Sequence, residues 1–411
     1  MTEEKGTPGT PPSWRLRPLH AAGFTTAFGA HGVAAVLGGD TDDVVGSLLM
    51  LGALLALYDG AEVLLKPLFG SLADRIGARP VMIGGLIGFA AASAASAAYV
   101  VADSPGWLWA ARLGQGAAAS AFSPSASAPA ARLNPAAKHG RAFGSYGFYK
   151  SIGYTLGPLL GGALMWLGGL RLLFGVMAAP AALVAVWALL AVPAVPPLPR
   201  RRRTVLDLAR RLADPVFLRP TAALAAATAA LSVGVGFLPV SGAAAGYDTV
   251  ATGAAVSVLA LTAAVVQPKA GRALDEGRLT TGRGMTTGLL VTAAGLGCAA
   301  TPGLPGILLA AVLIGAGTGL ITPLGFAALA TATPKERIGQ TMGSAELGRE
   351  LGDAGGPLLV AGVATAAGLG TGYAVLAAVI AAGPLIALAR AGRGRTAPGA
   401  AGTPTGDGPA A

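Results

Sequence analysis

Three ionisable residues, Asp59, Glu62 and Lys66, interrupt an otherwise apolar run. Their spacing, three and then four residues, puts them on one face of a helix. A second set, Glu346, Arg349, Glu350 and Asp353, repeats that spacing at the start of a later apolar run. A third run holds Arg112 and Gln115. Charges in a hydrocarbon-spanning helix are costly, so these faces must look at protein or at a water-filled cavity. Two chemistries suit acids buried beside bases. One is proton carriage, with a carboxylate loading and releasing a proton as its surroundings change. The other is a static ion-pair lock between helices. The spacing admits both, and one network can serve both.

The elements that must position these residues are long apolar segments. The chain has 411 residues, 53% of them hydrophobic and only 12% charged, with mean hydropathy +0.64. Soluble domains carry roughly 25% charged residues, so a membrane protein is indicated. Twelve apolar runs follow one another, centred near Ala30, Ala53, Phe89, Ala119, Leu156, Ala182, Ala229, Leu259, Thr292, Ala316, Leu358 and Val379. Each reaches or approaches the ~20 residues that a spanning helix needs. The expected fold is therefore all-α, with twelve transmembrane helices.

Basic residues fall in alternate loops: Arg75 and Arg79, then Arg132, Lys138 and Arg141, then Arg200 to Arg203, Arg210 and Arg211. Arg272, Arg278 and Arg283, Lys335 and Arg337, and Arg390, Arg393 and Arg395 continue the series. The opposite loops hold Asp40, Asp42, Asp43, Asp103 and Asp248, with Arg171 their one base. This asymmetry places both termini in the cytoplasm of a cell inner (plasma) membrane. The formal charge of +10 is spread over these short loops, which excludes a nucleic-acid patch. Cys298 is the single cysteine, so no intramolecular disulfide is expected. The Gly- and Pro-rich tails, 1–16 and 392–411, are expected to be disordered. A polar linker over 195–216 separates an N-terminal unit, 17–194, from a C-terminal unit, 217–391.

The two units repeat one pattern at a nearly constant displacement. Lys66-Pro67 and Gly70 with Asp74 match Gln267-Pro268 and Gly271 with Asp275. Gly140 and Gly144-Ser145 match Gly339 and Gly343-Ser344, Lys150 matches Arg349, and Gly157-Pro158 matches Gly356-Pro357. One six-helix unit therefore occurs twice. The acids are not part of the repeat: Ala260 and Ala263 stand where the other half has Asp59 and Glu62. Such acids are not demanded by the architecture, which points to function or to charge compensation between helices.

Gly70-Ser-Leu-Ala-Asp74-Arg75-Ile-Gly77-Ala-Arg79 resembles the loop between the second and third helices of the major facilitator superfamily, with Ala78 departing from the usual base. Arg112-Leu-Gly-Gln115-Gly116 resembles the R-x-x-Q-G motif of its proton-coupled members. Gly153, Gly157-Pro158 and Gly161-Gly162 resemble the motif of its drug:proton antiporter branches. The resemblance implies two pseudo-symmetric six-helix bundles, alternating access between them, and a second and eleventh helix lying side by side. It further implies that Gly70, Asp74, Arg75, Gly77 and Arg79 form a cytoplasmic gate, with Asp74 bridging onto a neighbouring helix end in one state.

The expected charge network is Asp59, Glu62, Lys66, Glu346, Arg349, Glu350 and Asp353, with Arg112. Arg112 has a bland alternative, a side chain that snorkels to the outer interface marked by Trp107 and Trp109. His31, Tyr58, Gln115, Phe148, Tyr149, Lys150, Tyr154 and Phe237 are candidates to line a substrate cavity. No catalytic triad, metal-ligand cluster or nucleotide loop is present in the sequence, so neither enzyme activity nor a cofactor is expected. The expected partners are a small-molecule substrate, protons and the lipid bilayer, and a monomer is expected. The reading is proton-coupled export of small organic molecules. Its alternatives are an uptake symporter or uniporter and, from another class, a non-transporting membrane receptor or scaffold.

Overall fold

The computed structural model describes residues 13–39, 48–102, 105–194, 214–247, 249–301 and 303–395. These residues are helical almost throughout. A backbone crossing hydrocarbon has no water to bond and must satisfy its amides and carbonyls within the helix.

After a short 3-10 turn, Ser13–Leu16, come α1 (Arg17–Gly39), α2 (Leu48–Ile76), α3 (Ala78–Ala102) and α4 (Pro105–Arg132). The next helical stretch, His139–Ala191, is broken at Gly168 and at Gly169, whose φ is +65°. Only glycine takes that conformation without strain. The break divides the stretch into α5 (139–167) and α6 (170–191). Then follow α7 (Pro215–Ala244), α8 (Thr249–Asp275), α9 (Thr281–Ala299), α10 (Leu304–Thr331), α11 (Ile338–Ala367) and α12 (Leu369–Arg395).

Among the described residues, six segments are long and apolar enough to cross a membrane: Ala78–Ala98, Ala163–Ala191, Pro215–Gly242, Ala254–Asp275, Leu304–Thr331 and Leu369–Ile386. Neither α2 nor α11 is in this group, and these are the helices that carry the charged sets.

Three boundaries differ from the sequence expectation. Ser13–Leu16 is helical and α12 runs on to Arg395, so each tail is shorter than expected. The linker yields to α7 at Pro215, because Asp214 accepts the Val216 amide (2.9 Å) and proline suits the first helical position. The remainder of the expected tails, residues 195–213 and the acids Asp40, Asp42, Asp43, Asp103 and Asp248 lie outside the described residues.

Four clusters form the core of the described residues, the smallest being Ala73, Ala78, Val81 and Ala121 among α2, α3 and α4. Phe28, Leu86, Phe89, Phe174 and Met177 cluster among α1, α3 and α6. Val233, Leu259, Leu296, Ile314 and Tyr373 cluster among α7 to α10 and α12. Phe143 of α5 joins Phe217, Leu224, Phe326 and Met342 from the later helices, stacking on Phe326 at 5.6 Å between ring centroids. The two sequence repeats meet along two seams, α2 against α11 and α5 against α8. Small residues permit this approach: a side chain at Gly70 would strike the Gly339 carbonyl, and one at Gly140 the Gly271 carbonyl.

Candidate functional site

Both seams are closed at the same end of the helices. At the end of α2, Asp74 accepts hydrogen bonds from the amides of Gly339 (2.9 Å) and Gln340 (2.7 Å), which open α11. At the end of α8, Asp275 accepts from the amides of Gly140 and Arg141, both at 2.8 Å, which open α5. The first amides of a helix have no partner within it and carry partial positive charge, so a carboxylate is well placed there. Asp74 thus holds the helix end that the gate motif implied. Its repeat partner Asp275 does the same on the other seam, in keeping with the match of the two in the repeat. Gly77 takes a φ of +99°, turning the chain from α2 into α3. Arg79 donates to the Leu189 carbonyl on α6, and Arg75 is exposed.

About two to three turns further in lies the charged cluster. Lys66 is buried between two carboxylates, at 2.5 Å from Glu62 on its own helix and 2.5 Å from Glu350 on α11. The second oxygen of Glu62, Oε1, is buried without a hydrogen-bond partner. On the other side, Glu346 is fully buried beneath two bases, Arg349 at 3.2 Å and Lys150 of α5 at 3.5 Å. The equivalent position on the α5–α8 seam is neutral: Gln267, the repeat partner of Lys66, donates to Ser151 at 2.6 Å. Glu62, Lys66 and Glu350 thus form one cluster of ion pairs, and Glu346 and Arg349 form a second, which Lys150 joins. The side chains of Asp59 and His31 lie outside the described ones.

A cavity opens beside Lys150 and Arg349, walled by Phe143, Tyr146, Tyr154, Gln267, Thr228 and Phe326 among others. Of the candidates named from sequence, Lys150 and Tyr154 line it. Phe148, Tyr149 and Phe237 do not. Tyr149 is exposed and stacks on His20 at 4.9 Å, Phe148 packs edge-on to Tyr149 at 5.3 Å, and Phe237 packs into the core of the later helices. Tyr146, Gln267 and Phe326 were missed. A helix that is apolar on every side gives no period from which to tell its cavity face from its lipid face.

Arg112 does not snorkel. It is 1% exposed, donates to Gln115 at 2.8 Å and lies over the Tyr58 ring at 4.7 Å. Gln115 in turn donates to Ser93 on α3 at 2.9 Å. Gly116 packs on the backbone of Tyr58, so Arg112, Gln115 and Gly116 together seat α4 against α2 and α3. Asp353 lies one turn beyond Arg349 on α11, half-buried. Gly153 of the fifth-span motif packs on Phe24 and Ala27 of α1, and Gly157 and Gly161 are buried. Pro158 and Gly162 lie outside the residues whose side-chain environment is described.

The family model of the Major Facilitator Superfamily matches residues 19–282 and 246–408. The chain belongs to the Major Facilitator Superfamily. Members of that superfamily are transporters, not enzymes. Among curated relatives, the MFS-type transporter Rv1250 of Mycobacterium tuberculosis is 33% identical over 132 residues, 32% of this chain. The class H tetracycline resistance protein of Pasteurella multocida is 31% identical over 115 residues, 28% of this chain. The matches span 22% and 27% of those relatives' own lengths. In fold, the chain is similar to the human organic anion transporter MFSD10 (TETRAN), with a TM-score of 0.75 at 19% identity, covering 92% of this chain and 100% of that one. It is similar also to the transporter FucP in the outward conformation, with a TM-score of 0.77 at 14% identity, covering 91% of this chain and 98% of that one. The all-helical Major Facilitator fold is thus a property of this chain.

Proposed function

We propose that the protein is a proton-coupled secondary transporter that exports small organic molecules across the cell inner membrane by alternating access. In this reading twelve helices span the bilayer in two six-helix bundles, 17–194 and 217–391, with both termini in the cytoplasm. The observation that carries it is Lys66 shared between Glu62 and Glu350. Two carboxylates on one ammonium leave one negative charge in excess, which a single proton balances. The unpartnered Glu62 Oε1 gives that proton a place to sit. The cluster lies in a seam that must part if the end held by Asp74 and Asp275 is to open, so proton loading and seam opening act on the same atoms. Support for export comes from the fifth-span motif Gly153, Gly157-Pro158, Gly161-Gly162 and from the likeness to a tetracycline resistance protein. The substrate is a small molecule held in the cavity between the bundles, and the monomer suffices for the cycle.

A second reading, in which proton and substrate move in the same direction, is favoured by Glu346. A proton on that carboxylate would free Lys150 and Arg349 to hold an anion. Inverted vesicles test both readings. An imposed pH gradient, inside acid, should drive substrate inward if the protein is an antiporter. Accumulation only under the reverse gradient would establish symport instead. Absence of gradient-driven flux for every compound that the protein binds would remove the transport reading.

A further inference from the structure

We infer that the stacked rings of Phe143 and Phe326 are the barrier that separates the interior of the protein from the cytoplasm. The inference rests on the transport reading only in taking this end as one that must open. Of the four core clusters among the described residues, three draw on one repeat each. The fourth draws on both, with Ala128, Ala131 and Phe143 from the first repeat and Phe217, Leu224, Phe326 and Met342 from the second. A core within one bundle holds that bundle together through the cycle. A core shared by two bundles must divide whenever they part at this end. Phe143 is 2% exposed and Phe326 3%, and their rings stack at 5.6 Å between centroids.

The ring pair stands between two polar spaces. Inward lies the cavity beside Lys150 and Arg349, of about 30 Å³, room for one water. Toward the cytoplasm lies a larger cavity of about 600 Å³, with His139, Arg219, Asp275 and Thr331 in its wall. Four helices agree on this order. On α5 the outer cavity reaches His139 and the inner one begins at Phe143. The corresponding limits are Pro220 and Ala227 on α7, Leu274 and Gln267 on α8, and Ala327 and Phe326 on α10. The layer between is about one to two helical turns thick at most, and Phe143, Leu224 and Phe326 fill it. Leu224 packs so closely on α10 that a Cβ at Gly325 would lie 2.8 Å from it. An apolar constriction between polar spaces excludes water and opens when its side chains separate. His139 fixes the outer edge of the layer. Its Nε2 donates to the Ala131 carbonyl of α4 at 3.0 Å, and its Nδ1 lies 3.4 Å from the Thr331 hydroxyl of α10. Its ring meets Phe143 edge-on at 6.1 Å.

Thiol labelling of the full chain in inverted vesicles, whose outer face is the cytoplasmic one, tests this. Thr322 lines the inner cavity, so Thr322→Cys in a Cys298→Ser background reports reagent that has crossed the barrier. A membrane-impermeant methanethiosulfonate should label it slowly. Phe143→Ala and Phe326→Ala should each raise the rate about tenfold or more, with spin-label distances across the α5–α8 seam unchanged. Should one of the two fail to fold, the other, on the opposite repeat, carries the test. Phe143→Leu, which keeps an apolar filling, should label at the parent rate. Phe174→Ala, in the core of the first bundle alone, should lower thermal stability and leave labelling unaltered. Parent-rate labelling in the alanine variants, faster labelling only in step with a wider seam, or an equal rise in Phe174→Ala would each overturn the barrier and leave the rings as packing. Labelling needs no substrate, which separates this from the transport reading. Faster labelling beside no flux of any compound would keep the barrier and sink transport. Parent-rate labelling beside gradient-driven flux would keep transport and sink the barrier.

Discussion

Asp74 and Asp275 occupy equivalent places in the two repeats, and each holds a pair of backbone amides at the start of a helix from the opposite repeat. The two contacts close the α2–α11 and α5–α8 seams at one end of the molecule. Each is a charge-assisted helix cap of about 1–2 kcal/mol. Replacing either residue by Asn keeps one acceptor and loses the charge. Asp74→Asn and Asp275→Asn should each lower the closed population of this end by roughly 5- to 30-fold, the factor that 1–2 kcal/mol represents. Spin-label distances across each seam measure it, and an unchanged distribution in both variants would show that the caps do not hold the closed state.

Lys66 offers a test of proton carriage against locking. Removing the ammonium leaves Glu62 and Glu350 facing one another without a counter-charge, and breaking a buried pair costs about 3–5 kcal/mol. Lys66→Ala should therefore unfold at markedly lower temperature. Lys66→Gln with Glu350→Ser and Glu62→Ala, which copies Gln267, Ser151 and Ala263 of the other seam, should recover most of that loss. If the cluster is the coupling site, this triple variant should be stable, retain downhill flux and lose gradient-driven transport. Full gradient-driven transport in the triple variant would assign coupling elsewhere.

Glu62→Gln removes the buried carboxylate with the unpartnered oxygen and keeps its shape. Gradient-driven flux should fall at least tenfold while exchange without a gradient persists. Loss of both together would mean that Glu62 serves the fold or the rocking motion, not the proton.

Gly153 sits where a new Cβ would lie 2.6 Å from the Phe24 carbonyl and 2.9 Å from Ala27. Gly153→Leu should destabilise the α1–α5 contact by about 1–3 kcal/mol, the usual cost of overpacking. Thermal unfolding of the purified variant measures it, with Gly175→Ala as a control, because nothing lies within 4 Å of that position.

Orientation is open to direct measurement. In a Cys298→Ser background, a cysteine at position 335 should be labelled only from the cytoplasmic side, and one at position 42 only from outside. The reverse pattern would invert the transport directions argued above.

Much of this arrangement was legible in the sequence. The spacing puts Glu62 and Lys66 on one helical face, and Glu346 on another with Arg349 beside it, and the structure pairs each acid with its base. The repeat matched Lys150 with Arg349 and Asp74 with Asp275, and each pair proved to have parallel roles. The contact between Lys150 and Glu346, 196 residues apart, was not legible, because a sequence does not record which faces of distant helices turn toward one another. For the same reason the sequence offers Phe148, Tyr149 and Phe237 as lining candidates, and they do not line this cavity. In an apolar helix an aromatic side chain suits lipid, core and substrate equally well.

The difference between the two seams has a consequence for water. Parting Gln267 from Ser151 exposes two neutral groups, and a single solvent molecule can serve both. Parting Lys66 from Glu350 exposes an ammonium and a carboxylate that must each gain a hydration shell at once. The charged seam can separate only as fast as it floods, so the opening step draws in a defined quantity of solvent. Turnover should then slow in osmolytes too large to enter the seam and recover with ones small enough to follow the water, a dependence on water activity that a neutral seam would not impose.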